Sequence, residues 1–260
     1  MKFDMHCHTK EGSIDGKVPI EEYITELERL GYQGMLITDH NSYNGYRWWK
    51  KNIKDKTHKD FVVLKGIEYD TIDAGHILVI MPEGVKLKIL ELRGLPVNML
   101  IEIVHKNGGI LGPAHPCGEK YLSLTNTKRY RKNPEIITEF DFMETFNSCE
   151  SPVSNAAAAK MASNYELPGF GGSDTHKFEC IGTAYTQFPV PITCESDLIA
   201  CVMKEKKLEC GGSYYRGTTK EKIGKANSIL VQSFWVYNKT AGILRHHKRK
   251  KEMSAVNKIG

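Results

Sequence analysis

At 260 residues, with 40% apolar and 26% charged positions, the chain has the composition of a soluble globular protein and the length for one large α/β domain, or a domain plus a small appendage. No apolar run reaches the roughly 20 residues of a membrane span, and the charged N-terminus lacks a signal-peptide layout, so a cytoplasmic location is expected. Seven cysteines without a CxxC pair read as reduced thiols, and the net charge of +5 is concentrated late in the chain, at Lys220, Lys222, Lys225, Lys239, Arg245, Lys248 to Lys251 and Lys258.

The chain opens on a strand, Met1 to His8, that ends in His6-Cys7-His8. Side chains two apart on a strand share a face, so His6 and His8 project together and Cys7 points away. Two imidazoles aimed at one point suit a transition metal. A loop over Thr9 to Lys17 carries Asp15. A helix follows, with Pro19 at its first position, the apolar period Ile20, Tyr23, Ile24, Leu27 and Leu30, and Gly31 as its stop. Met35 to Thr38 reads as a buried strand ending at Asp39-His40, and Tyr43 to Lys54 as a helix.

Phe61 to Gly66 is the next predicted strand, delivering Glu68, and Gly75 to Met81 is a short strand that begins at His76 and can return as a hairpin. Val97 to Asn107 is helical and closes on Gly108-Gly109; the extended segment after it ends in Ala114-His115-Pro116. A basic stretch over Glu119 to Asn133 reads as an insertion. Phe140 to Glu144 is a strand, Asn155 to Tyr165 an alanine-rich helix, and Phe170 to Ser173 a strand end that delivers Asp174 and His176. Ile181 to Phe188 is extended and Glu195 to Lys206 helical. The alternation implies a mainly parallel sheet with its site at the C-terminal ends of the strands. The absence of G-x-G-x-x-G after the first strand and of any P-loop favours a barrel over a nucleotide-binding open sheet.

Six of the ten histidines, those at 6, 8, 40, 76, 115 and 176, fall at strand ends together with Asp15, Asp39, Glu68 and Asp174. In order and spacing, His6-x-His8, Thr38-Asp39-His40, Gly66-Ile67-Glu68, Gly75-His76, Ala114-His115-Pro116 and Gly172-Ser173-Asp174-x-His176 resemble the motif series of the polymerase and histidinol phosphatase (PHP) domain, over about the first two hundred residues. The resemblance implies a distorted (β/α)7 barrel with up to three metal ions at the C-terminal face. It places His6, His8, Glu68 and Asp174 on one ion, with Glu68 bridging to a second held by His76 and His115. Asp15, His40 and His176 would hold the third.

Asp39, beside His40, should face away from the cluster in a hydrogen-bonding role, and a structural role is favoured for Glu144 and Asn147. Cys7 and Cys117 are expected to be small buried hydrophobes. By the same resemblance residues 1–215 form the barrel, with a closing extension from about residue 182, and 216–260 a basic segment consisting of a docked helix and a flexible tail.

The expected activity is that of a metal-dependent phosphoesterase. Two to three divalent ions (manganese, iron or zinc) activate a hydroxide for in-line attack on a small phosphomonoester, either nucleotide-like or a sugar or amino-alcohol phosphate. Glu68, Asp174 and His176 are the expected catalytic residues, and Lys128, Arg129 and Arg131 of the insertion are candidates for the substrate phosphate. Two alternatives use the same ligand set: a phosphodiesterase or short-oligonucleotide exonuclease, and a non-catalytic metal-binding module. Nucleic acid is a less favoured partner than a small phosphorylated molecule, no membrane partner is expected, and the oligomeric state is open.

Overall fold

β1 (Lys2–Cys7) leads through a polar loop to α1 (Ile20–Arg29), β2 (Gly34–Ile37) and α2 (Asn44–Asn52). β3 (Val62–Asp70) and β4 (His76–Ile80) follow with no helix between them, then α3 (Val97–Lys106) and β5 (Ile110–Pro113). The insertion contains α4 (Lys128–Lys132), after which come β6 (Met143–Asn147), α5 (Pro152–Asn164) and β7 (Gly169–Gly172). β8 (Ala184–Gln187), α6 (Glu195–Lys204) and β9 (Glu209–Gly212) complete the order. This computed structural model describes residues 1–118, 122–205 and 207–215, with 229, 233, 236 and 240 beyond them. Lys120 and Tyr121 of the insertion, and the rest of the basic segment 216–260, lie outside the described residues.

Local sequence accounts for the first α-helix. Ile20, Tyr23, Ile24 and Leu27 recur at helical spacing and all four are buried, Glu21 and Glu22 sit in the first turn, and Gly31 ends the helix at φ +77°.

Seven strands form one mixed sheet in the order β5-β4-β3-β2-β1-β8-β9, and β6 and β7 form a parallel pair. The pair closes the curl. Asp141 N–H donates to the Leu111 carbonyl (2.9 Å) on the β5 side, while Asp174 N–H donates to the His6 carbonyl (2.9 Å) and His8 N–H to the Thr175 carbonyl (3.3 Å) on the β1 side. β1 to β7 thus make a distorted, partly open seven-stranded barrel, and β8 and β9 extend it antiparallel from the start of β1.

The expectation of a mainly parallel sheet needs correcting at β4, which is antiparallel to both β3 and β5. A tight turn over Thr71 to Gly75 replaces the crossover helix. Gly75 is required there: its φ is +74°, and a Cβ on it would lie 2.0 Å from the Leu122 carbonyl oxygen. The reversal matters for the site, because it puts the first residue of β4, His76, on the same rim as the last residues of β3. β3 also runs four residues beyond its predicted end. β6 starts three residues late, since Pro134–Glu139 is a 3-10 turn from which Phe140 and Phe142 enter the core.

Two irregularities aim side chains at that rim. Phe3 and Met5 share a core with Leu36 and Leu64, whereas Cys7 packs with Met35, Ile37 and Val63 against Tyr23, Ile24 and Leu27 of α1. Residues 5 and 7 would share a face on a regular strand. The pairing of β1 with β2 shifts register between Asp4 and Cys7, and the extra residue turns His6 inward. A matching shift between Glu144 and Phe146 in β6 lets Glu144 and Asn147 reach the same interior. Bulges at barrel rims next to functional sites are a recurrent means of re-aiming side chains.

Candidate metal centre

Nine residues from six strand ends and one loop meet at this rim. His6 and His8 come from β1 and its continuation, Asp15 from the loop before α1, His40 from beyond β2 and Glu68 from β3. His76 opens β4, His115 follows β5, and Asp174 and His176 follow β7. Among the described residues, four groups of donors lie close enough to hold an ion: His8, Asp15, His40 and His176; His6, His8 and Glu68; His40, Asp70 and His76; and Glu68, His76 and His115.

Distances fix how the donors face one another. His6 Nε2 and His8 Nε2 lie 3.4 and 3.3 Å from Glu68 Oε2, and 3.6 and 3.3 Å from Asp174 Oδ1. The other oxygen of Glu68, Oε1, is 2.8 Å from His76 Nδ1 and 3.1 Å from His115 Nε2. One carboxylate therefore serves two groups, one through each oxygen. Asp15 Oδ2 lies 3.2 Å from His176 Nε2 and 3.5 Å from His40 Nε2, completing the third. An ion with bonds of about 2.1 Å spaces its donors by roughly 3.0–3.4 Å, and the separations named here run from 2.8 to 3.6 Å.

The far side of each ring tests whether the residues suit a metal. Besides the nitrogen that faces the centre, every one of the six imidazoles has its second nitrogen near an oxygen. His6 Nδ1 is 2.9 Å from Glu144 Oε1, His8 Nδ1 3.3 Å from Ser13 Oγ and His115 Nδ1 3.4 Å from Ser123 Oγ. His176 Nδ1–H donates to the Asp174 carbonyl (2.9 Å). His76 Nε2 and His40 Nδ1 lie 3.1 and 3.3 Å from Asp70 Oδ1 without a hydrogen bond, and His40 Nδ1 is also 3.1 Å from Glu68 Oε2. Metal-binding histidines are held as the first four of these are, because an acceptor on one nitrogen leaves the lone pair of the other for the ion. The donor set fits a divalent transition metal.

Backbone geometry supports the same reading. His115 and Asp174 occupy left-handed conformations, at φ +30° and +52°, that cost a residue with a side chain of order 1–3 kcal/mol each. Both are held there by hydrogen bonds, His115 N–H to Glu144 Oε2 (2.6 Å) and Asp174 N–H to the His6 carbonyl. Glu144 thus orients one candidate ligand through its ring and another through its backbone. Asn147 adds donors to Glu144 Oε2 (3.1 Å) and Asp174 Oδ2 (3.3 Å).

Electrostatics follow from burial and charge pairing. Burial pushes the Glu68 carboxyl up, but His76, His40 and His6 around it outweigh that and hold it well below the usual carboxylate range. Asp174 is likewise held low, its burial overcome by His6, His8 and His176. Burial pulls His40 down, yet Glu68 and Asp15 raise it to about 9; burial prevails at His76, which falls to about 4. The carboxylates are anionic at neutral pH, as ligands must be. Access is graded: the His6 and His8 side chains are fully buried, while those of His176 and Asp15 are 31% and 51% exposed. The centre is open to solvent at that edge.

Asp39 turns away from the donors, and accepts from Thr9 N–H (2.7 Å) and Thr9 Oγ1 (2.9 Å). Cys7 is buried against α1 and Cys117 is half-buried; all seven cysteines are free thiols. In the insertion, the Arg129 guanidinium donates to Asn98 Oδ1 of α3 and Arg131 to the Asn126 carbonyl (3.3 Å), while Lys128 opens α4. Asp70, Ser13 and Ser123 were not singled out by the sequence.

Over residues 4–167 the chain matches the PHP domain, and over residues 152–206 the PHP-associated family. The chain belongs to the PHP domain family. With the clustered donors, that membership makes it a metal-dependent phosphoester hydrolase. Solved structures agree on the fold. PsfC from Pseudomonas syringae PB-5123 is 13% identical, with a TM-score of 0.59, covering 90% of this chain and 98% of its own. A two-domain protein from Bacteroides vulgatus, described as containing a predicted PHP-like metal-dependent phosphoesterase, is 17% identical with a TM-score of 0.57 over 82% of this chain and 65% of its own. Endonuclease Q, in complex with a 27-mer duplex substrate bearing an abasic lesion, is 18% identical with a TM-score of 0.53 over 77% of this chain and 56% of its own. No curated protein sequence gives a match. No helix among the described residues of this PHP protein is long and apolar enough to cross a membrane.

Proposed function

We propose that this PHP protein hydrolyses a small, nucleotide-like phosphomonoester, and that its ions are two or three of manganese, iron or zinc. Six imidazoles among nine donors favour such borderline metals over calcium or magnesium. Bound divalent ions would supply a water of lowered pKa and neutralise phosphoryl oxygens. The chain itself does the rest. Glu68 spaces two donor groups by bridging them, Asp174 completes the most buried group, and His176 completes, with Asp15 and His40, the group at the open edge.

The observation that carries the substrate reading is a cavity of about 710 Å³ lined by Lys10, Trp48 and Phe178 among others; Lys10 and Phe178 follow His8 and His176 by two residues in the chain, and none of the nine donors lines it. Trp48 and Phe178, 36% and 51% exposed, offer flat faces for a planar leaving group. Glu11, Glu21, Glu22 and Glu26 line the same cavity, and acids there oppose an extended polyanion far more than a single nucleotide. A second reading, phosphodiester cleavage, draws on the likeness to Endonuclease Q, which is described in complex with a duplex substrate.

Rates on nucleoside monophosphates, sugar phosphates, amino-alcohol phosphates and short oligonucleotides, after reconstitution with each metal in turn, decide between them. Nucleotides should be turned over fastest, Trp48→Ala should raise KM for nucleotides more than for sugar phosphates, and Glu68→Gln should abolish turnover of all. Cleavage of oligonucleotides without any monoester activity would overturn the reading.

A further inference from the structure

Asp4 lies on β1 two residues before His6, is fully buried, and has a donor for each of its carboxylate lone-pair directions. Oδ1 accepts from His6 N–H (3.3 Å) and Ser173 N–H (2.9 Å). Oδ2 accepts from the Tyr23 hydroxyl (3.1 Å) and the Ser173 hydroxyl (2.5 Å). One side chain thus joins its own strand to α1 and to the residue that follows β7. The bulge in β1 takes His6 out of the pairing register with β2, and its N–H goes to Asp4 instead. On its other side the His6 carbonyl accepts from Asp174 N–H (2.9 Å). The two N–H groups on Oδ1 therefore belong to one candidate ligand, His6, and to the residue just before another, Asp174.

Burying a carboxylate among neutral donors is a costly route to stability, and well-packed apolar side chains commonly do as well. What an acceptor with two oxygens gains at this position is a fixed relation between two main chains. We infer that Asp4 is a positioning residue for the most buried ion group: by holding the His6 and Ser173 N–H groups on one oxygen, it sets His6 Nε2 against Asp174 Oδ1, 3.6 Å apart. The inference rests on the metal-centre reading above. His76 and His115 of the neighbouring group take their places from β4 and the end of β5.

Three variants separate holding a ligand from stabilising the fold. Tyr23→Phe removes a donor from Oδ2 and leaves Oδ1 untouched, so denaturant unfolding of metal-free protein should show lower stability while equilibrium dialysis shows unchanged zinc affinity. Asp4→Asn keeps an oxygen for the two N–H groups. Its NH2 meets hydroxyls that can turn, since the Tyr23 hydroxyl lies 3.1 Å from Ser173 Oγ, which in turn contacts Thr175 Oγ1. Its zinc affinity should match that of the wild type. Asp4→Ala leaves both N–H groups without their acceptor, and one zinc equivalent should bind ten- to a hundredfold more weakly with the others unaltered.

Wild-type protein that retains no zinc would sink the metal centre itself. Zinc held by the wild type, and as tightly by Asp4→Ala, would sink the role of Asp4 alone, as would affinities that simply follow stability across the three variants. If Asp4→Ala fails to fold, amide hydrogen exchange in the metal-free wild type decides. His6 and Ser173 N–H groups that exchange faster than the β1–β2 ladder overturn the inference, and equal protection sustains it.

Discussion

Asp39 is the acid beside a candidate ligand that faces the other way, and its surroundings give it a pH signature. Burial pushes its carboxyl from 3.8 up to about 6 even though Thr9 donates to it twice. The folded state thus holds this proton more tightly than the unfolded chain does. Stability from the neutral acid is full below about pH 4 and is lost, at about 1.4 kcal/mol per unit, as pH rises through about 6. Asp39→Asn keeps an acceptor for Thr9 N–H and never ionises. Denaturant unfolding of metal-free protein should show the variant gaining roughly 3 kcal/mol on the wild type between pH 4 and pH 7 and nothing further above that; a gap independent of pH would contradict the assignment. The direction of Asp39 was legible from strand alternation beside His40. Asp70 was not, because the strand was expected to stop at Gly66, and only its continuation makes Glu68-x-Asp70 a same-face pair. Ser13 and Ser123 lie in loops, where periodicity says nothing about contacts.

Among the elements, β7 is the one whose sequence is set by close approach. A Cβ on Gly172 would lie 2.2 Å from His6 Cβ and 2.7 Å from Glu144 Oε1. Gly172→Ala should destabilise the protein by about 1–3 kcal/mol and weaken zinc binding together, since relief of the clash displaces His6. Gly211→Ala on β9, where the nearest atom is 3.8 Å away, is the control and should change neither; a tolerated Gly172→Ala would contradict the packing. Helices α1, α3, α5 and α6 were legible in advance because their apolar or alanine-rich patterns are local. The hairpin that reverses β4 was one of the readings open at Gly75 to Met81, whereas the bulges in β1 and β6 were not legible, since they depend on which strands become neighbours. His76 nevertheless read as a strand-end residue, because an antiparallel strand starts where a parallel one ends.

For the molecule as a whole, the centre is a cross-link without covalent bonds, drawing its donors from residues 6 to 176. Ions that bind the folded state alone stabilise it by RT ln(1 + [L]/Kd), about 2.7 kcal/mol at a hundredfold excess over Kd. Scanning calorimetry should accordingly show Tm falling by roughly 5–10 °C when a strong chelator replaces excess metal; an unchanged Tm would mean that the described donors hold nothing.

The hydrogen bonds by which Asp174 and His8 fasten β7 to β1 join positions more than 160 residues apart. During synthesis the opening histidines leave the ribosome long before their carboxylate partner exists. The donor set is complete only once residue 176 has emerged. The segment 174–176 thus both completes the donor set and, through Asp174 and Thr175, latches the barrel.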